Sequence, residues 1–261
     1  MDRAAVLEAY DEQIRRRPQP EGPDGRVETG AAVVRQLSGP DGWNGVLWSR
    51  LEAATADAAI AAQIARFAEH GHPWEWKHYS HDPPPDLDRR LQAAGFAPEQ
   101  AEALLVAEVA ALDLDAAPPP GVEVVTARDA KGVDQVVAVH DEVFGVDGSG
   151  LRGPLLAALQ QKAPPVLGVV ALAGGRPVAA ARAEFHEGTD FASLWGGGTV
   201  PEWRGHGIFR ALVARRAAFA AARGYRYLQV DALPTSEPIL ARLGFVRLAT
   251  TTPYLHPGRV T

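Results

Sequence analysis

The sequence contains no cysteine, which excludes disulfides, thiolate metal sites and cysteine nucleophiles. It also has no apolar run long enough to cross a bilayer. The N-terminal residues 1–17 are charged throughout, so they do not resemble a signal peptide. From these absences we expect a cytoplasmic protein with no membrane partner.

Positive charge is also in deficit, since the formal net charge is −6. This acidity argues against a nucleic-acid partner and mildly favours a cationic ligand. No spacing of His, Asp and Glu indicates a metal site. The composition is otherwise that of an ordinary globular protein, with 46% hydrophobic residues. The length of 261 residues is enough for one large domain or two small ones.

A proline-rich segment, Ala116–Gly121, divides the chain. Three consecutive prolines make it a short, stiff spacer. We therefore predict an N-terminal domain at 1–115, a linker at 116–121 and a C-terminal domain at 122–261.

The two halves repeat the same order of predicted elements. Each has a long helix stopped by glycine, an aromatic strand (74–79 or 225–231), a short helix ending in Gly-Phe, and a final strand. The first half lacks a Gly-x-Gly turn before its long helix. This pattern predicts a duplicated fold with one phosphate-binding turn, and a chain that is a monomer with an internal pseudo-dimer or a homodimer.

Other elements follow from periodicity and turn signals. Strands are predicted at 31–37 and 46–51 around a turn at 39–42, and at 104–112. A hairpin of strands 166–173 and 177–185 is predicted to turn at Gly174 and Gly175.

The most informative stretch is 194–224. An apolar strand ends in Gly196–Gly198, the chain crosses Arg204-Gly205-His206-Gly207, and an amphipathic helix follows. Glycines allow backbone N–H groups to converge, and the first helical turn adds unpaired donors and a positive dipole end. This order of strand, glycine turn and helix is typical of a phosphate-binding site.

The charge around this turn is locally reversed. Between Val200 and Arg226 the only acid is Glu202, against six arginines. The excess suits an anionic ligand, and for the later arginines a solvated helix face is an equal explanation.

The segment VPEWRGHGIFRALV, followed by a helix ending in Leu-Gly-Phe, resembles the GNAT superfamily of acetyl-CoA-dependent N-acyltransferases. The family's Arg/Gln-x-x-Gly-x-Gly/Ala signature is matched from Arg204 to Ile208, whereas Phe209 replaces the small last residue. The resemblance covers roughly Val122 to the C-terminus. It implies an α/β (α+β) fold of tandem GNAT-like domains, each a mixed, mostly antiparallel twisted sheet flanked by helices.

The resemblance also implies a co-substrate, acetyl-CoA, and no metal. The backbone of the turn would hold the pyrophosphate, the pantetheine arm would lie beside the strand ending at Thr199, and the Thr199 N–H would face the thioester carbonyl. His206 is expected to point to solvent. The implied binding residues are Gly198, Thr199, Val200, Arg204, Gly205, His206, Gly207, Ile208 and Phe209.

The proton chemistry is less determined. Glu184 is the candidate general base, with Asp190 and Asp231 as alternatives, and each is also explained as a solvated or helix-capping acid. Many family members carry a tyrosine acid at the position of Leu240, so Ser236 or a water would have to serve here. Tyr254 is a substitute candidate, or simply a packing aromatic.

The resulting hypothesis is an N-acetyltransferase that moves an acetyl group from acetyl-CoA to a small-molecule or peptide amine by direct attack. The competing hypothesis is a non-catalytic acyl-CoA sensor or interaction module. A dinucleotide-binding protein is disfavoured, because no Gly-x-Gly-x-x-Gly with a downstream acid is present.

Overall fold

A computed structural model describes residues 1–22, 24–39 and 42–258. The elements of the first half are α1 (Arg3–Tyr10), a π-helical turn (Asp11–Arg15), β1 (Arg26–Thr29), β2 (Val33–Leu37), β3 (Gly45–Ser49), α2 (Ala56–Ala68), β4 (Trp74–Tyr79), α3 (Leu87–Ala93), β5 (Ala97–Pro98), β6 (Glu102–Glu108) and a 3-10 turn (Val109–Ala111).

The elements of the second half are β7 (Val122–Ala127), α4 (Ala130–Phe144), α5 (Ser149–Leu159), β8 (Val166–Ala173), β9 (Arg176–Phe185), β10 (Phe191–Thr199), a 3-10 turn (Pro201–Trp203), α6 (Ile208–Ala222), β11 (Tyr227–Ala232), α7 (Glu237–Arg242) and β12 (Val246–His256).

The chain forms two compact units that do not follow chain order. The first contains Met1–Leu105, Asp231–Pro238 and the chain from Arg247 onward, and the second contains Val106–Val230 and Ile239–Val246. The predicted domains 1–115 and 122–261 follow the repeat in the sequence, whereas the two compact units are defined by packing. The predicted boundaries therefore stay a prediction.

In the first unit the strands run in the order β1-β2-β3-β4-β12. β12 pairs antiparallel with β4 along Thr251–His256, and β3 pairs parallel with β4 over Gly45 and Val46. Aromatic side chains fill the core against α2, with the Phe67 and Trp74 rings stacked at 4.0 Å. Trp74 and Trp76 of β4 thus serve this core, as their alternation predicts. Tyr79 projects from the opposite face, where its hydroxyl lies 3.0 Å from that of Tyr10.

In the second unit the order is β11-β10-β9-β8-β7. β7, β8, β9 and β10 pair antiparallel, and β10 and β11 pair parallel. α4 buries Val133, Val136 and Val139 against β8 and β9, because these residues recur at helical spacing on one face. Both units are mixed, mostly antiparallel sheets flanked by helices, which confirms the predicted fold class.

Most predicted elements lie within a few residues of their expected positions. The hairpin of β8 and β9 turns at Gly174 and Gly175 as predicted. The strand predicted at 104–112 ends at Glu108, because Leu112 N–H donates to Val109 O in a 3-10 turn. The turn predicted at 39–42 includes Pro40 and Asp41, which lie outside the described residues. Within the described ranges, no helix combines the length and apolar character needed to span a membrane.

Candidate functional site

The end of β10 contains a bulge formed by the three glycines. Its register against β9 shifts between Trp195 and Gly198. A Cβ at Gly197 would lie 3.1 Å from the Phe209 ring, and one at Gly198 would lie 2.8 Å from Val143 Cγ1. Glycine is therefore needed at 198, since a side chain there would overlap α4. The bulge lets two helices approach opposite faces of one strand.

β10 and β11 diverge before the bulge. Their parallel pairing covers only Phe191–Ser193 against Tyr227–Gln229. Further along, Val200 N–H donates to Val178 O at 2.9 Å. Because antiparallel strands alternate the direction of their backbone groups, Thr199 directs its own N–H and C=O away from β9. The Thr199 carbonyl accepts from Arg204 Nε at 3.0 Å.

The predicted glycine turn has the backbone conformation that its sequence requires. Gly205 and Gly207 adopt positive φ angles of 80° and 82°, a region that glycine enters without steric cost. No heavy atom lies within 4 Å of a Cβ built at either position. The space beside the turn is thus open.

The N-terminus of α6 is electrostatically suited to an anion. Gly207 is its N-cap and offers no side-chain hydrogen bond, and the first turn carries no acid. The first N–H groups of a helix have no intrahelical partner, and the dipole adds partial positive charge there. His206 is exposed, as expected, and its ring lies 6.0 Å from that of Trp203. The turn can hold a phosphate through backbone donors.

Arg216 is a buried cation beneath the bulge. Its side chain is 1% exposed, and burial alone lowers its pKa to about 9. Nε donates to Leu212 O at 3.0 Å and Nη1 donates to Arg182 O at 3.1 Å. Arg182 is opposite Trp195, where the register shift begins. Arg216 therefore supplies a donor to a carbonyl beside the bulge.

The candidate acid and base residues lie in different compact units. Glu184 is half-buried on β9 of the second unit. Ser236 belongs to the first unit, where its N–H donates to Leu233 O at 2.8 Å. Their catalytic roles, like the binding roles in the turn, stay predictions.

The alternative acids and bases have other partners. Asp231 has a side chain 1% exposed, and it accepts from Lys77 Nζ at 2.5 Å within the first unit. Asp190 accepts the N–H groups of Arg226 and Tyr227 through its backbone carbonyl. Tyr254 is 5% exposed within the aromatic core. Leu240 is also buried, at 2%.

Sequence reasoning singled out only Glu184 from a line of polar side chains in and beside three strands, which we call the polar row: Glu184, His186, Ser193 and Gln229. His186 Nε2 lies 2.6 Å from Ser193 Oγ, and Gln229 Nε2 donates to the same oxygen at 2.7 Å. Burial lowers the pKa of His186 to about 4, so its ring is neutral at pH 7. The sequence carries no signal for the contacts of His186, because its partners are brought close by strand register and not by spacing along the chain.

A metal is not indicated by the site. Across residues 1–22, 24–39 and 42–258 there is no group of three or more His, Asp or Glu placed to hold a metal ion.

Comparison with known families identifies the class of the second half. Residues 138–245 match the model of the acetyltransferase (GNAT) family. This segment includes the bulge, the glycine turn and the helix ending in Leu-Gly-Phe. No curated protein sequence matches the chain.

Solved structures extend the likeness to the whole chain. A GCN5-related N-acetyltransferase from Kribbella flavida is 19% identical, with a TM-score of 0.73 over 99% of this chain and 96% of that one. A functionally unknown conserved protein from Staphylococcus epidermidis is 16% identical, with a TM-score of 0.69 over 90% and 95%.

A tandem GNAT protein from the clavulanic acid biosynthesis pathway is 14% identical, with a TM-score of 0.62 over 99% and 95%. At these identities the likeness shows the fold. Residues 138–245 of the chain therefore match the GNAT family, and the fold of the chain, its N-terminal half included, is similar to that of GNAT proteins.

Proposed function

We propose that this protein is an acetyl-CoA-dependent N-acetyltransferase whose second unit binds the acyl donor. The observation that carries the proposal is the Gly205–Gly207 turn at the uncapped start of α6, beside a β10 edge that has separated from β11. The match of residues 138–245 to the acetyltransferase family supports acyl transfer in general. The donor, the acceptor and the residues involved are the proposed part.

The residues present fit a CoA pyrophosphate. The turn is open, its glycines have positive φ, and no carboxylate stands in the first helical turn. Backbone donors from Gly205 to Phe209 would hold the phosphate oxygens. Gly198 and Val200 would line the strand edge beside the pantetheine arm, and Thr199 would donate its outward N–H to the acyl-CoA.

The chain's own groups would handle the proton of the amine. Glu184 is the proposed base, acting directly or through water, and Ser236 or a water would protonate the leaving thiolate. Because the attack is direct, the protein mainly contributes orientation and proton transfer. Acetyl-CoA supplies the activated acyl group when bound.

The test is calorimetry with acetyl-CoA, followed by release of the CoA thiol in the presence of an amine panel. We expect one acetyl-CoA per chain and thiol release that depends on the amine. Absence of acetyl-CoA binding would contradict the proposal.

A non-catalytic acyl-CoA sensor is the second candidate. The specific observation that favours it is Leu240, a buried aliphatic residue where many family members carry a tyrosine acid. Tight acetyl-CoA binding without thiol release on any amine would support this candidate. A cytoplasmic location, a small-molecule or peptide acceptor, the lack of nucleic-acid or membrane partners, and a monomeric or homodimeric state stay predictions.

A further inference from the structure

The first unit contains a buried ion pair where β3 and β4 part. The parallel pairing of these strands covers only two residues of each. Arg15 is 2% exposed, and its Nη2 donates to both carboxylate oxygens of Asp82, at 2.8 and 2.7 Å. The Asp82 side chain is buried to the same degree. Both residues belong to the first unit, as do the two strands.

This ion pair takes over hydrogen bonds of both strands. Leu47 follows the paired residues of β3, and its carbonyl accepts from Arg15 Nε at 3.1 Å. Tyr79 ends β4, and its backbone N–H donates to Asp82 Oδ2 at 3.0 Å. A path of hydrogen bonds therefore runs from β3 through Arg15 and Asp82 to β4, beyond the point where the strands pair directly.

The groups around Arg15 recognise each part of its guanidinium. Nη1 donates to Asp11 Oδ1 at 2.7 Å, and Cζ lies 3.9 Å from the centroid of the Tyr79 ring. Burial disfavours the charged form, but the charges of Asp82 and Asp11 outweigh it and raise the pKa of Arg15 above its usual value. Two carboxylates, a carbonyl and an aromatic face suit a planar cation with many donors.

A π-helical turn brings Arg15 to this position. α1 continues into the turn Asp11–Arg15, and Arg16 N–H donates to Asp11 O, five residues back, at 2.8 Å. Such turns are rare and are found mostly at functional positions. Arg16 has a different environment, since its guanidinium lies 4.7 Å from the Trp48 ring centroid and its side chain is half-exposed. The turn thus delivers one arginine into the gap.

We propose that the gap between β3 and β4 is a guanidinium-binding site, which the chain occupies with its own Arg15. This side chain bridges the parting strands as a ligand would, and it closes the gap to other ligands while it is in place. Once the side chain is removed, the site should accept an alkylguanidinium ion. The inference concerns the first unit alone and does not depend on the proposed acetyltransferase function.

The experiment uses Arg15→Ala in the full chain and N-ethylguanidinium, the part of the arginine side chain that alanine lacks. Removing one partner of a buried ion pair is strongly destabilising, so the Tm should fall by roughly 10 °C. A ligand that binds the folded state raises the Tm, so ethylguanidinium at about 10 mM should restore at least half of this loss. Calorimetry should count one ethylguanidinium per chain in the variant and none in the wild type.

Three controls test the specificity of this response. Ethylammonium has the same charge without the planar donors and should restore much less of the Tm. Arg15→Ala/Asp82→Ala lacks the carboxylate and should not respond to ethylguanidinium. The matched variant is Arg35→Ala, which breaks an ion pair of 2.6 Å with Glu28 in the same unit. It should not respond either, because Glu28 keeps Arg66 as its partner at 2.5 Å.

Each outcome supports or overturns the site. A folded Arg15→Ala that responds to ethylguanidinium no more than Arg35→Ala does would overturn it. An equal response of Arg15→Ala and Arg15→Ala/Asp82→Ala would also overturn it, because binding would not involve Asp82. If Arg15→Ala does not fold alone, it is refolded in ethylguanidinium: recovery of folded protein supports the site, and no recovery overturns it.

Discussion

The two units contain the same strand–helix–strand motif, with different connections. In the first unit β3 leads to α2 and then to β4, and the parallel pairing of the two strands covers two residues. In the second unit β10 leads to α6 and then to β11, and the pairing covers three. Each motif thus places a helix N-terminus where two parallel strands separate.

The connections differ in their backbone and their charge. The second unit turns through Gly205 and Gly207 with positive φ, next to an acid-free helix start. The first unit connects without glycine, buries Leu51, and carries Asp57 in the first turn of α2. Asp57 already interacts favourably with the helix dipole. An anion site therefore depends on the few residues of the connection and not on the motif.

The space between the strands differs as well. Trp74 packs between Phe67 and Phe96 in the first unit, with ring centroids 4.0 and 4.9 Å away. The corresponding region of the second unit has alanine-rich α6, the glycine bulge and one buried arginine. The first unit uses its sheet for a packed core, whereas in the second the pairing of β10 with β11 stops at Ser193, and we propose that the ligand lies along the β10 edge beyond it.

The largest expected effect comes from placing a carboxylate in the glycine turn. Gly207→Glu should weaken acetyl-CoA binding by more than roughly 100-fold, because a negative charge would meet the pyrophosphate and a side chain would be forced to positive φ. Calorimetry of acetyl-CoA binding measures this change.

Gly224→Glu is the matched control for that variant. Gly224 has nearly the same φ, 80°, and equally open space, but it follows the other end of α6. Gly224→Glu should have the same unfavourable backbone energy at positive φ as Gly207→Glu. Its affinity for acetyl-CoA should stay within about threefold of the wild-type value. Equal loss in the two variants would mean that strain, and not the site, is responsible.

A smaller effect is expected from Arg216→Met, which removes the buried cation beneath the bulge. Acetyl-CoA affinity should fall about 10-fold, since the Arg182 carbonyl loses its donor and the bulge relaxes. The free energy of unfolding should change by less than about 1 kcal/mol, because a desolvated charge without a carboxylate partner is removed at the same time. Calorimetry measures the acetyl-CoA affinity, and chemical denaturation measures the free energy of unfolding. A large loss of stability with unchanged affinity would contradict the role of Arg216 in supporting the bulge.

The first unit should show a pH dependence opposite in sign to that of the second, where the lowered pKa of His186 makes stability fall as the pH drops from about 6.5 to 4. Burial and the nearby Asp231 raise the pKa of Glu102 to about 7, against an ordinary value of 4.5. A raised carboxyl pKa means that the folded state holds the proton longer, so stability falls as the pH rises from about 4.5 to 7. The full shift corresponds to about 3 kcal/mol, and solvent screening of a half-buried group reduces this to about 1 to 2 kcal/mol.

Denaturation of the wild type and of Glu102→Gln at pH 5 and pH 7.5 measures this contribution, because the effect of His186 is common to the two proteins and cancels. Since an amide cannot ionise, the stability of the wild type relative to Glu102→Gln should fall by about 1 to 2 kcal/mol between the two pH values. A stability difference that is the same at both pH values would contradict the raised pKa of Glu102.

The smallest effect is expected in the first-unit connection. Asp57→Asn removes the acid from the α2 start and its exposed ion pair with Arg90 at 2.8 Å. Stability should change by less than about 0.5 kcal/mol. Calorimetry should still count one acetyl-CoA per chain, because neutralising the charge does not create a glycine turn. A second site in this variant would show that charge alone separates the two units.

The sequence predicted the elements of the site because local rules govern them. The glycines at 205 and 207 predicted a turn with converging N–H groups, and the arginine-rich, acid-poor segment predicted an anion site. The fold contains the turn, with positive φ at both glycines, and an acid-free start of α6. The aromatic alternation of residues 74–79 predicted a buried strand for the same reason. The resemblance to the GNAT superfamily also implied the mixed, mostly antiparallel sheets, which the fold contains.

Other features could not be predicted, because they depend on strand register. His186, Ser193 and Gln229 meet although they lie 7 and 36 residues apart in the chain, and a shift of one residue would separate them. The bond from Arg216 to Arg182 likewise spans 34 residues. The segment that starts at Arg247 belongs to the first compact unit, because β12 pairs with β4. That pairing could not be predicted from the sequence.

By itself, therefore, the sequence determined the glycine turn, the helix that it starts and the resemblance of this segment to one family, because glycine preference, helical period and charge act within a few residues. Only the tertiary structure decided where β10 leaves β11 and which side chains meet in the polar row. Those contacts are set by long-range pairing, in which each strand's register is fixed by its neighbours and by the core that they bury together.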